Sequence, residues 1–403
     1  MRLLVLSLNT FPYPPQHGAA EGRTFNLLKQ LSRRHQITVV AHRTANATQE
    51  NIQTLLTWVD QVKTFPLPPS PQARPVIEPL RQGLRFSQFL FTAIPPNVAC
   101  RFSPEVYAWV AEQISHYDAV LAEHSVNEMY VQPHWRQQLK TVVDIHSSVY
   151  GWVLNHLQAG ASENPLRDRL YLPLLARYEK RYCRKFSHLI ATTVDDRQQL
   201  QSLIPGAEMT IIPNGVDLTT LTYRPRDPGG QNLVFVGAMD SSHNIDAACY
   251  LARHIFPLVR QRYPQASLSL VGARPVDEVK QLNQLEGITV TGQVPSVVDY
   301  LHRSTVAVVP LRAGLGIKTK TLEAMAAGLP VVASDRGLEG ISVDEPELRA
   351  LRANSPTAYV NAIGRLFENP DLRQTLSTRG RRMIEAEYTW EIAGERYEQV
   401  LSS

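Results

Sequence analysis

The stretch RAGLGIKTKTLEAMAAGLPVVAS, in the C-terminal half of the chain, combines glycines, lysines and a single glutamate. Gly314 and Gly316 would let backbone amides approach an anion, and Lys318 and Lys320 would supply positive charge for a diphosphate. Glu323 falls one turn into a predicted helix, where a carboxylate can accept two hydrogen bonds from a ribose diol. A phosphate site beside a ribose site indicates a nucleotide. The alternative is a solvated charged loop.

The elements around this stretch place it at one edge of a predicted sheet. The apolar run TVAVVP (305–310) predicts a strand, and TLEAMAA predicts a short helix that ends at Gly328 and Pro330. The loop rich in glycine and lysine therefore follows the carboxyl end of a strand and leads into a helix. In open parallel sheets, ligands bind at such positions, and helix N-termini favour anions.

Short apolar runs recur along the chain of 403 residues and predict its fold class. Near-continuous apolar runs are typical of parallel strands that are covered on both faces. Because the runs form two successive series, we predict an α/β protein with two doubly wound, Rossmann-like parallel-sheet domains that face each other across a cleft. The first series is RLLVLSL (2–8), QITVVAH (36–42), DAVLAEH (118–124) and TVVDIH (141–146). The second is MTIIP (209–213), LVFVG (233–237), SLSLVG (267–272), ITVTG (288–292), TVAVVP (305–310) and LPVVAS (329–334).

The predicted domain boundary lies near residues 202–209. HLIATTVDDRQQL (188–200) closes the first series, and MTIIP opens the second. We therefore predict an N-terminal domain over residues 1–205 and a C-terminal domain over residues 206–388. The tail TWEIAGERYEQVLSS (389–403) has apolar residues at helical spacing, which predicts a terminal helix that packs back on the first domain.

Glycine, arginine and histidine residues also follow predicted strands of the first domain. Gly18 has no side chain, so a phosphate could approach the helix N-terminus at this position. Arg23 could add positive charge there. The alternative is a strand-to-helix turn with a surface arginine. His124 and His146 each end a predicted strand, and a neutral imidazole can accept a hydrogen bond from a sugar hydroxyl. A histidine at a strand end is often structural, but two of them at neighbouring strand ends favour a role in a cleft.

The composition narrows the class of ligand and the compartment. A formal net charge of +4 without long lysine or arginine runs argues against nucleic acid and fits anionic small substrates or an anionic membrane face. The sequence contains no Asp-x-Asp pair, so we predict no bound metal. Cys100, Cys183 and Cys249 lack metal or disulfide spacing, and no apolar stretch approaches the ~20 residues of a spanning helix. We predict a cytoplasmic protein, neither secreted nor integral to a membrane, which could work at the inner face of the cell membrane.

With these motifs, the sequence resembles the retaining glycosyltransferases of family four, which have the two-domain GT-B fold. Within that family it resembles the sugar transferases of bacterial exopolysaccharide and exosortase-associated gene clusters. The resemblance runs nearly from end to end. It rests on YPPQHGAAEGR, ARYEKRYCRKFSHLIATTVDDRQQL, IIPNGVD (211–217), NLVFVGAMDSSHNIDAACYLARHIFPLVRQRYP, GLGIKTKTLEAMAAGLPVVASDRGLEG and YTW (388–390).

The resemblance implies a role for individual residues. Gly18 lies where such enzymes bring backbone amides to the donor diphosphate, and His146 lies where many have a histidine beside the donor sugar. Glu323 matches the glutamate that holds the nucleotide ribose, and His124 lies in a loop that often faces the acceptor. Of these residues and the loop lysines, we expect His146, Lys318 and Glu323 to be catalytic. The other implied donor-binding positions are Arg23, Gly237, Gly314, Gly316, Ile317, Thr319 and Lys320.

Two regions depart from the family pattern. Leu315 occupies the place of a second glutamate that usually precedes the ribose-binding one. Met239 and His243 occupy the region where the family usually has an arginine and a lysine, after the first strand of the second domain. The subgroup that this sequence resembles carries its cations in a G-x-G-x-K-x-K loop instead, as Lys318 and Lys320 do here.

The resemblance implies transfer of a sugar, with retention, from a UDP- or GDP-linked donor to a hydroxyl of a glycan or of a lipid-linked acceptor. No metal or other cofactor is expected. Stabilisation of the departing diphosphate should contribute more than acid–base catalysis. Two alternatives stay open, namely a nucleotide-sugar epimerase or phosphorylase on the same fold, and a non-catalytic nucleotide-sugar-binding protein.

The segment PLRQGLRFSQFLFTAIPP (79–96) combines cations with large apolar side chains. It could rest on an anionic membrane and reach a lipid-linked acceptor, while a helix packed on its own sheet is the alternative. Residues 176–186 carry more cations, but their helical periodicity indicates one core face and one solvent face. The membrane prediction depends on Arg81, Arg85, Phe86, Phe89, Leu90 and Phe91.

Overall fold

The chain divides into two compact units, which are named here the N-terminal unit and the C-terminal unit. The N-terminal unit comprises Met1–Pro213 and Ala393–Ser403, and the C-terminal unit comprises Asn214–Ile392. The structure, a computed structural model, describes residues 1–15, 18–68, 89–158, 162, 164–314 and 316–403.

A seven-stranded sheet with the order β3-β2-β1-β4-β5-β6-β7 is the centre of the N-terminal unit, and every pair of neighbours is parallel. The inner strands are buried along almost their whole length, as their near-continuous apolar sequences predict. The strand order reverses between β1 and β4, so ligands are expected at the carboxyl ends of these strands. The strands are β1 (Arg2–Ser7), β2 (Gln36–His42), β3 (Gln61–Phe65), β4 (Ala119–Glu123), β5 (Lys140–Ile145), β6 (His188–Ala191) and β7 (Met209–Ile211).

Helices connect these strands, as the crossovers of a parallel sheet require. The turn at residues 89–92 is also helical. The helices of this unit are α1 (Ala19–Leu31), α2 (Gln49–Leu55), α3 (Pro96–Ala99), α4 (Pro104–Gln113), α5 (Val149–Gln158), α6 (Pro165–Cys183) and α7 (Val194–Leu203).

A six-stranded parallel sheet with the order β10-β9-β8-β11-β12-β13 is the centre of the C-terminal unit. Its order reverses between β8 and β11, the strand that precedes the glycine- and lysine-rich loop. The strands are β8 (Asn232–Val236), β9 (Ser267–Val271), β10 (Ile288–Gly292), β11 (Val306–Val309), β12 (Val331–Ala333) and β13 (Leu351–Arg352). The helices are α8 (Ser242–Tyr250), α9 (Phe256–Arg262), α10 (Asp277–Gln281), α11 (Val297–Arg303), α12 (Thr319–Ala326), α13 (Pro356–Glu368), α14 (Pro370–Glu387) and α15 (Trp390–Ser402), whose last part belongs to the N-terminal unit.

The unit boundary lies later in the chain than the predicted boundary at 205/206. The strand β7, which was expected to open the second series, pairs with β6 at the edge of the first sheet. The boundary therefore falls between Pro213 and Asn214. The residues of α15 from Ala393 onwards pack in the N-terminal unit, where Gly394 lies so close to Gln30 that a Cβ there would be 2.7 Å from the Gln30 side chain.

The described part of the chain contains no helix that is long and apolar enough to cross a membrane. Of the segment proposed for membrane contact, Arg81, Arg85 and Phe86 lie outside the described residues. Phe89 is buried, whereas Leu90 and Phe91 are exposed.

Candidate functional site

Two acids and a histidine meet at the carboxyl ends of β4 and β5 in the N-terminal unit. Glu123 and Asp144 are partners in the register of these strands, and His146 directly follows β5. Nε2 of His146 lies 3.0 Å from Oε2 of Glu123 and 3.8 Å from Oδ2 of Asp144. Both carboxylates are buried, while the His146 side chain is 14% exposed. Within the described part of the chain, Nδ1 of His146 has no hydrogen-bond partner, so this nitrogen is the one available to a ligand.

Arg23 of α1 forms a bidentate ion pair with Asp144. Its Nε lies 2.7 Å from Oδ2, and a terminal nitrogen lies 3.1 Å from Oδ1. The same terminal nitrogen donates to the carbonyl of Ile212 at 2.9 Å and to the hydroxyl of Tyr397 at 3.3 Å, and Tyr397 in turn donates to Asp144. These contacts join α1, β5 and α15 in one buried network.

This network corrects the prediction that Arg23 binds the donor. Arg23 is only 2% exposed, so a ligand cannot reach its guanidinium. Burial by itself would lower the pKa of Arg23, but the Asp144 carboxylate outweighs burial and raises it. Burial would likewise raise the pKa of Asp144, but Arg23 and then His146 lower it. Both groups are therefore charged, and Arg23 acts in packing rather than in binding.

Glu123 connects this network to His146. Its Oε2 also accepts a hydrogen bond from the hydroxyl of Thr24 at 3.0 Å, whereas its Oε1 is buried without a partner. A buried carboxylate on Nε2 fixes a proton on that nitrogen and orients the ring, so Nδ1 is the ring nitrogen without a partner in the described ranges.

His124 lies beside His146 and is neutral. It has a φ of +72°, and its Nδ1 accepts a hydrogen bond from the amide of Val126 at 3.4 Å. The ring centroids of the two histidines are 5.2 Å apart. Burial, followed by the neighbouring His146, lowers the pKa of His124 to about 3. The structure thus brings the two predicted histidines together, while the acceptor role of His124 stays a prediction.

Glu123, Asp144 and His146 offer ligand atoms that all lie within 4.8 Å of one another, as in some metal centres. Both oxygens of Asp144, however, already accept hydrogen bonds from Arg23. A cation bound there would compete with the guanidinium for the same carboxylate. The present arrangement fits an ion-pair network better than a metal centre, and metal independence stays a prediction.

Gly18 is the N-cap residue of α1. Its backbone is extended, and no side chain of the cap bonds to the first turn of the helix. A Cβ at Gly18 would lie 2.4 Å from Oε2 of Glu21, so the Glu21 carboxylate occupies the space that the glycine leaves. An anionic ligand at this helix N-terminus would have to displace that carboxylate.

In the C-terminal unit, the loop between β11 and α12 has the backbone that its glycines predict. Gly314 has a φ of +99° and Gly316 a φ of +77°, in the left-handed region that favours glycine. Lys318 is the N-cap residue of α12, and an ammonium group cannot cap the helix by accepting from its amides. The positive end of α12 is therefore not capped by its own N-cap side chain. Leu315 lies outside the described residues.

Lys318 is more buried than the sequence indicates. Its side chain is 7% exposed, and its Nζ donates to the carbonyl of Gly316 and lies 3.2 Å from Oε2 of Glu339. The other carboxylate oxygen of Glu339, Oε1, accepts a hydrogen bond from Arg336 at 3.4 Å. A diphosphate would therefore have to share Lys318 with Glu339, a residue from the loop after β12 that the sequence did not single out.

Lys320 and Glu323 lie together near the start of α12. Nζ of Lys320 donates to Oδ1 of Asn244 at 2.8 Å. Burial lowers the pKa of Lys320 to about 8, although Glu323 acts in the opposite direction. Burial raises the pKa of Glu323 and Lys320 opposes this effect. No donor among the described residues bonds to the Glu323 carboxylate, so both of its oxygens can accept from a ligand.

Gly237 holds Asn244 in place beside Lys320. A Cβ at Gly237 would lie 2.9 Å from the Asn244 amide, and a Cβ at Gly272 would lie 1.7 Å from the carbonyl oxygen of Gly237. Asn244 is buried and donates to the carbonyl of Ala238 at 2.9 Å. The observed role of Gly237 is close packing, and a direct donor contact stays a prediction.

The remaining loop residues divide into core and accessible positions. Ile317 packs in the hydrophobic core, so only its backbone could meet a ligand, and Met239 is fully buried in the same core. Thr319 is half-buried. His243 faces the lysines: burial, followed by Lys320 and Lys318, lowers its pKa, and a Cβ at Gly314 would lie 3.8 Å from its ring.

Known families match both units. Residues 20–220 match "Glycosyltransferase Family 4", and residues 230–369 match "Glycosyl transferases group 1". The chain carries glycosyltransferase domains of these two families. It is 28% identical over 230 residues to a phosphatidyl-myo-inositol mannosyltransferase of Mycobacterium tuberculosis, a match that covers 51% of this chain and 58% of that protein. The chain thus spans little more than half the length of this relative.

Solved structures support the fold of these glycosyltransferase domains. The sucrose-phosphate synthase of Thermosynechococcus elongatus is 20% identical with a TM-score of 0.70, and the match covers 100% of this chain and 98% of that one. HepE of Anabaena, solved in complex with UDP, is 16% identical with a TM-score of 0.67, and the match covers 100% of both chains. The predicted GT-B fold with two parallel-sheet domains is confirmed.

Proposed function

We propose that this protein is a retaining glycosyltransferase that moves a sugar from a nucleoside diphosphate donor to an acceptor hydroxyl. The proposal rests on the residues at the start of α12. There, two glycines with positive φ, the half-buried cation of Lys320 and the carboxylate of Glu323, to which no donor in the described ranges bonds, lie within one loop and one helical turn. The glycosyltransferase domains and the UDP complex of a protein with the same fold support this reading.

The cluster at α12 would bind the diphosphate and the ribose. Lys320, Lys318 and the first amides of α12 would stabilise the negative charge that grows on the leaving diphosphate. One preorganised donor of this kind contributes roughly 3 kcal/mol to transition-state stabilisation. Glu323 would accept two hydrogen bonds from the ribose diol. In the reaction, the bond from the anomeric carbon to the diphosphate breaks, a bond to the acceptor oxygen forms, and the acceptor proton passes to the departing phosphate.

His146 would contact the donor sugar through Nδ1, which has no partner in the described ranges. Glu123 would act as its positioning residue, because it holds the proton on Nε2. The acceptor would be a hydroxyl of a glycan or of a lipid-linked glycan in polysaccharide biosynthesis at the cytoplasmic side of the membrane. The name of the Mycobacterium tuberculosis relative, a mannosyltransferase acting on a phosphatidyl-inositol, supports an amphiphilic acceptor.

A transfer assay tests this proposal. The full chain is incubated with UDP- and GDP-linked sugars and with a panel of glycan and lipid-linked acceptors, and products are detected by mass spectrometry. We expect a glycosylated acceptor whose anomeric configuration, read by NMR, matches the donor, and undiminished turnover in EDTA. Lys320→Met and Glu323→Gln should lose activity, while Lys280→Met, an exposed lysine of the same unit, should retain it. An altered nucleotide sugar formed without acceptor would instead indicate an epimerase, and nucleotide binding without any turnover would indicate a binding protein.

A further inference from the structure

The solvent-facing side of α6 carries cations and large apolar side chains but no acid. The acidic residues of this helix, Asp168 and Glu179, are both buried. At about 100° per residue, six of the exposed positions fall within an arc of about 100°. The set, named here the α6 face, is Leu166, Arg169, Leu170, Arg177, Lys180 and Arg184.

The cations of the α6 face have no acidic partners. None of Arg169, Arg177, Lys180 and Arg184 forms an ion pair with another residue in the described ranges. Among the exposed arginines elsewhere in the described ranges, some are paired with aspartates, such as Arg2 and Arg274, and others, such as Arg226 and Arg365, form no ion pair. Unpaired cations along one side of a helix produce a positive potential that attracts an anionic surface.

Apolar side chains are exposed on and beside the same face. Leu166 is 74% exposed and Leu170 is 65% exposed at the N-terminal end of α6. Phe91 is 84% exposed in the turn 89–92, and Arg181 joins this turn to α6 by donating to the carbonyl of Thr92. Large apolar side chains at such exposures are costly in water and indicate a surface that is covered when the protein works.

A further exposed apolar side chain, Trp152, borders a cavity beside α6. Trp152 of α5 is 47% exposed and lines a cavity of about 330 Å³ together with Phe89, Tyr171 and Leu175. This cavity also contacts Ser147, the residue after His146. Trp152 therefore lies beside the loop that carries His146.

We propose that the α6 face, with Phe91 and Trp152, docks this protein on an anionic membrane surface. Lipid headgroups would meet the cations, and Leu166, Leu170, Phe91 and Trp152 would enter the boundary between headgroups and acyl chains. An RNA or an acidic protein would satisfy the cations but would leave the exposed leucines and Phe91 in water. This assignment adds Trp152 and residues 166–184 to the contact that the sequence predicts for the segment 79–96. It does not depend on the transferase activity.

Vesicle flotation tests the proposal on the full chain. We expect binding to vesicles that contain phosphatidylglycerol and phosphatidylcholine, weak binding to phosphatidylcholine alone, and a fall in binding as salt rises. Each cation near the surface contributes about fivefold to the partition coefficient, so the double variant Arg169→Glu/Arg177→Glu should bind at least tenfold less. The matched control is Arg226→Glu/Arg365→Glu, which makes the same charge change at exposed arginines of the C-terminal unit.

A second pair of variants tests the apolar part. Leu166→Ser/Leu170→Ser should weaken binding at every salt concentration, while Leu285→Ser, at a 42% exposed leucine of the C-terminal unit, should not. Thermal melting checks that the variants remain folded. No binding of the unmodified chain to anionic vesicles would overturn the proposal, as would equal losses in the control variants. The unmodified protein could instead bind RNA and not vesicles. If the Arg169→Glu/Arg177→Glu variant then lost RNA binding, the α6 face would be assigned to nucleic acid.

Discussion

Nε2 of His146 lies 3.0 Å from Oε2 of Glu123, a buried carboxylate at the end of the neighbouring strand. The carboxylate fixes a proton on Nε2 and orients the ring, and Nδ1 has no partner in the described part of the chain. A histidine held in this way keeps one ring orientation, so a change at Glu123 should alter turnover through His146 rather than through a contact with the substrate.

Replacement of Glu123 by alanine should therefore reduce kcat by roughly tenfold or more, with little change in the donor KM. The 15N chemical shift of Nε2 of His146 should also change, because this nitrogen loses its carboxylate partner. Asp118→Asn, an exposed acid just before the start of β4, is the control and should leave both readouts unchanged. A Glu123→Ala protein with full kcat and the original ring shifts would show that the contact is only structural.

The half-buried ammonium of Lys320 should make nucleotide binding depend on pH. Because burial lowers its pKa to about 8, Lys320 is mostly charged at pH 7 and mostly neutral at pH 9. One charge-assisted hydrogen bond is lost over this range, so the affinity for a nucleoside diphosphate should fall roughly tenfold. Calorimetric titrations at the two pH values measure the effect. Lys320→Met should bind weakly at both, and an equally large pH effect in that variant would assign the titration to another group.

The buried pair of Arg23 and Asp144 should be worth more than a surface pair. Arg23→Met leaves the Asp144 carboxylate buried without its cation, which should lower the free energy of unfolding by about 3 to 5 kcal/mol. The additional change Asp144→Leu should recover part of this loss. The control is Arg2→Met, which breaks the exposed pair with Asp118 and should cost less than about 1 kcal/mol. Denaturant unfolding gives the free energy of unfolding of the unmodified protein and of the three variants. Equal losses in Arg23→Met and Arg2→Met would contradict the expected difference.

Glu179 should make the folded state less stable as pH rises. Burial raises its pKa to about 7, and its carboxylate accepts from Ser148 at 2.8 Å and from the amide of Tyr150 at 3.2 Å. Between pH 4.5 and 7 the folded state keeps a proton that the unfolded state has lost, so stability falls through this window and stays low above it. The loss is about 3 kcal/mol. Melting temperatures at pH 5 and pH 8 should differ less in Glu179→Gln than in the unmodified protein, and an unchanged difference would argue against this role.

The fold was predictable because its inner strands are near-continuous apolar runs. The runs at 2–8, 118–124 and 141–146 coincide closely with β1, β4 and β5. β3, at the sheet edge, was missed because its sequence QVKTF contains only two apolar residues. β7 was assigned to the wrong domain because a short apolar run does not reveal which sheet it joins.

The candidate site was predictable only in part, because local sequence does not show long-range pairing. The glycines and the helix at Glu323 follow from local pattern, and both have the expected geometry. The burial of Arg23 depends on Asp144, which is 121 positions away, and on Tyr397, which is 374 positions away. The role of Glu123 could have been predicted in part, because a charged residue at the end of the buried run DAVLAEH requires a partner.

The central claim is that the start of α12 binds a nucleoside diphosphate, with Glu323 on the ribose diol. Isothermal titration calorimetry with UDP, GDP and ADP, and with the 2′,3′-dideoxy form of the ligand that binds best, tests it most directly. We predict that the unmodified protein prefers the ribonucleotide by roughly tenfold and that Glu323→Gln loses most of this preference. Heat from none of the nucleotides, or a preference that Glu323→Gln keeps in full, would contradict the claim.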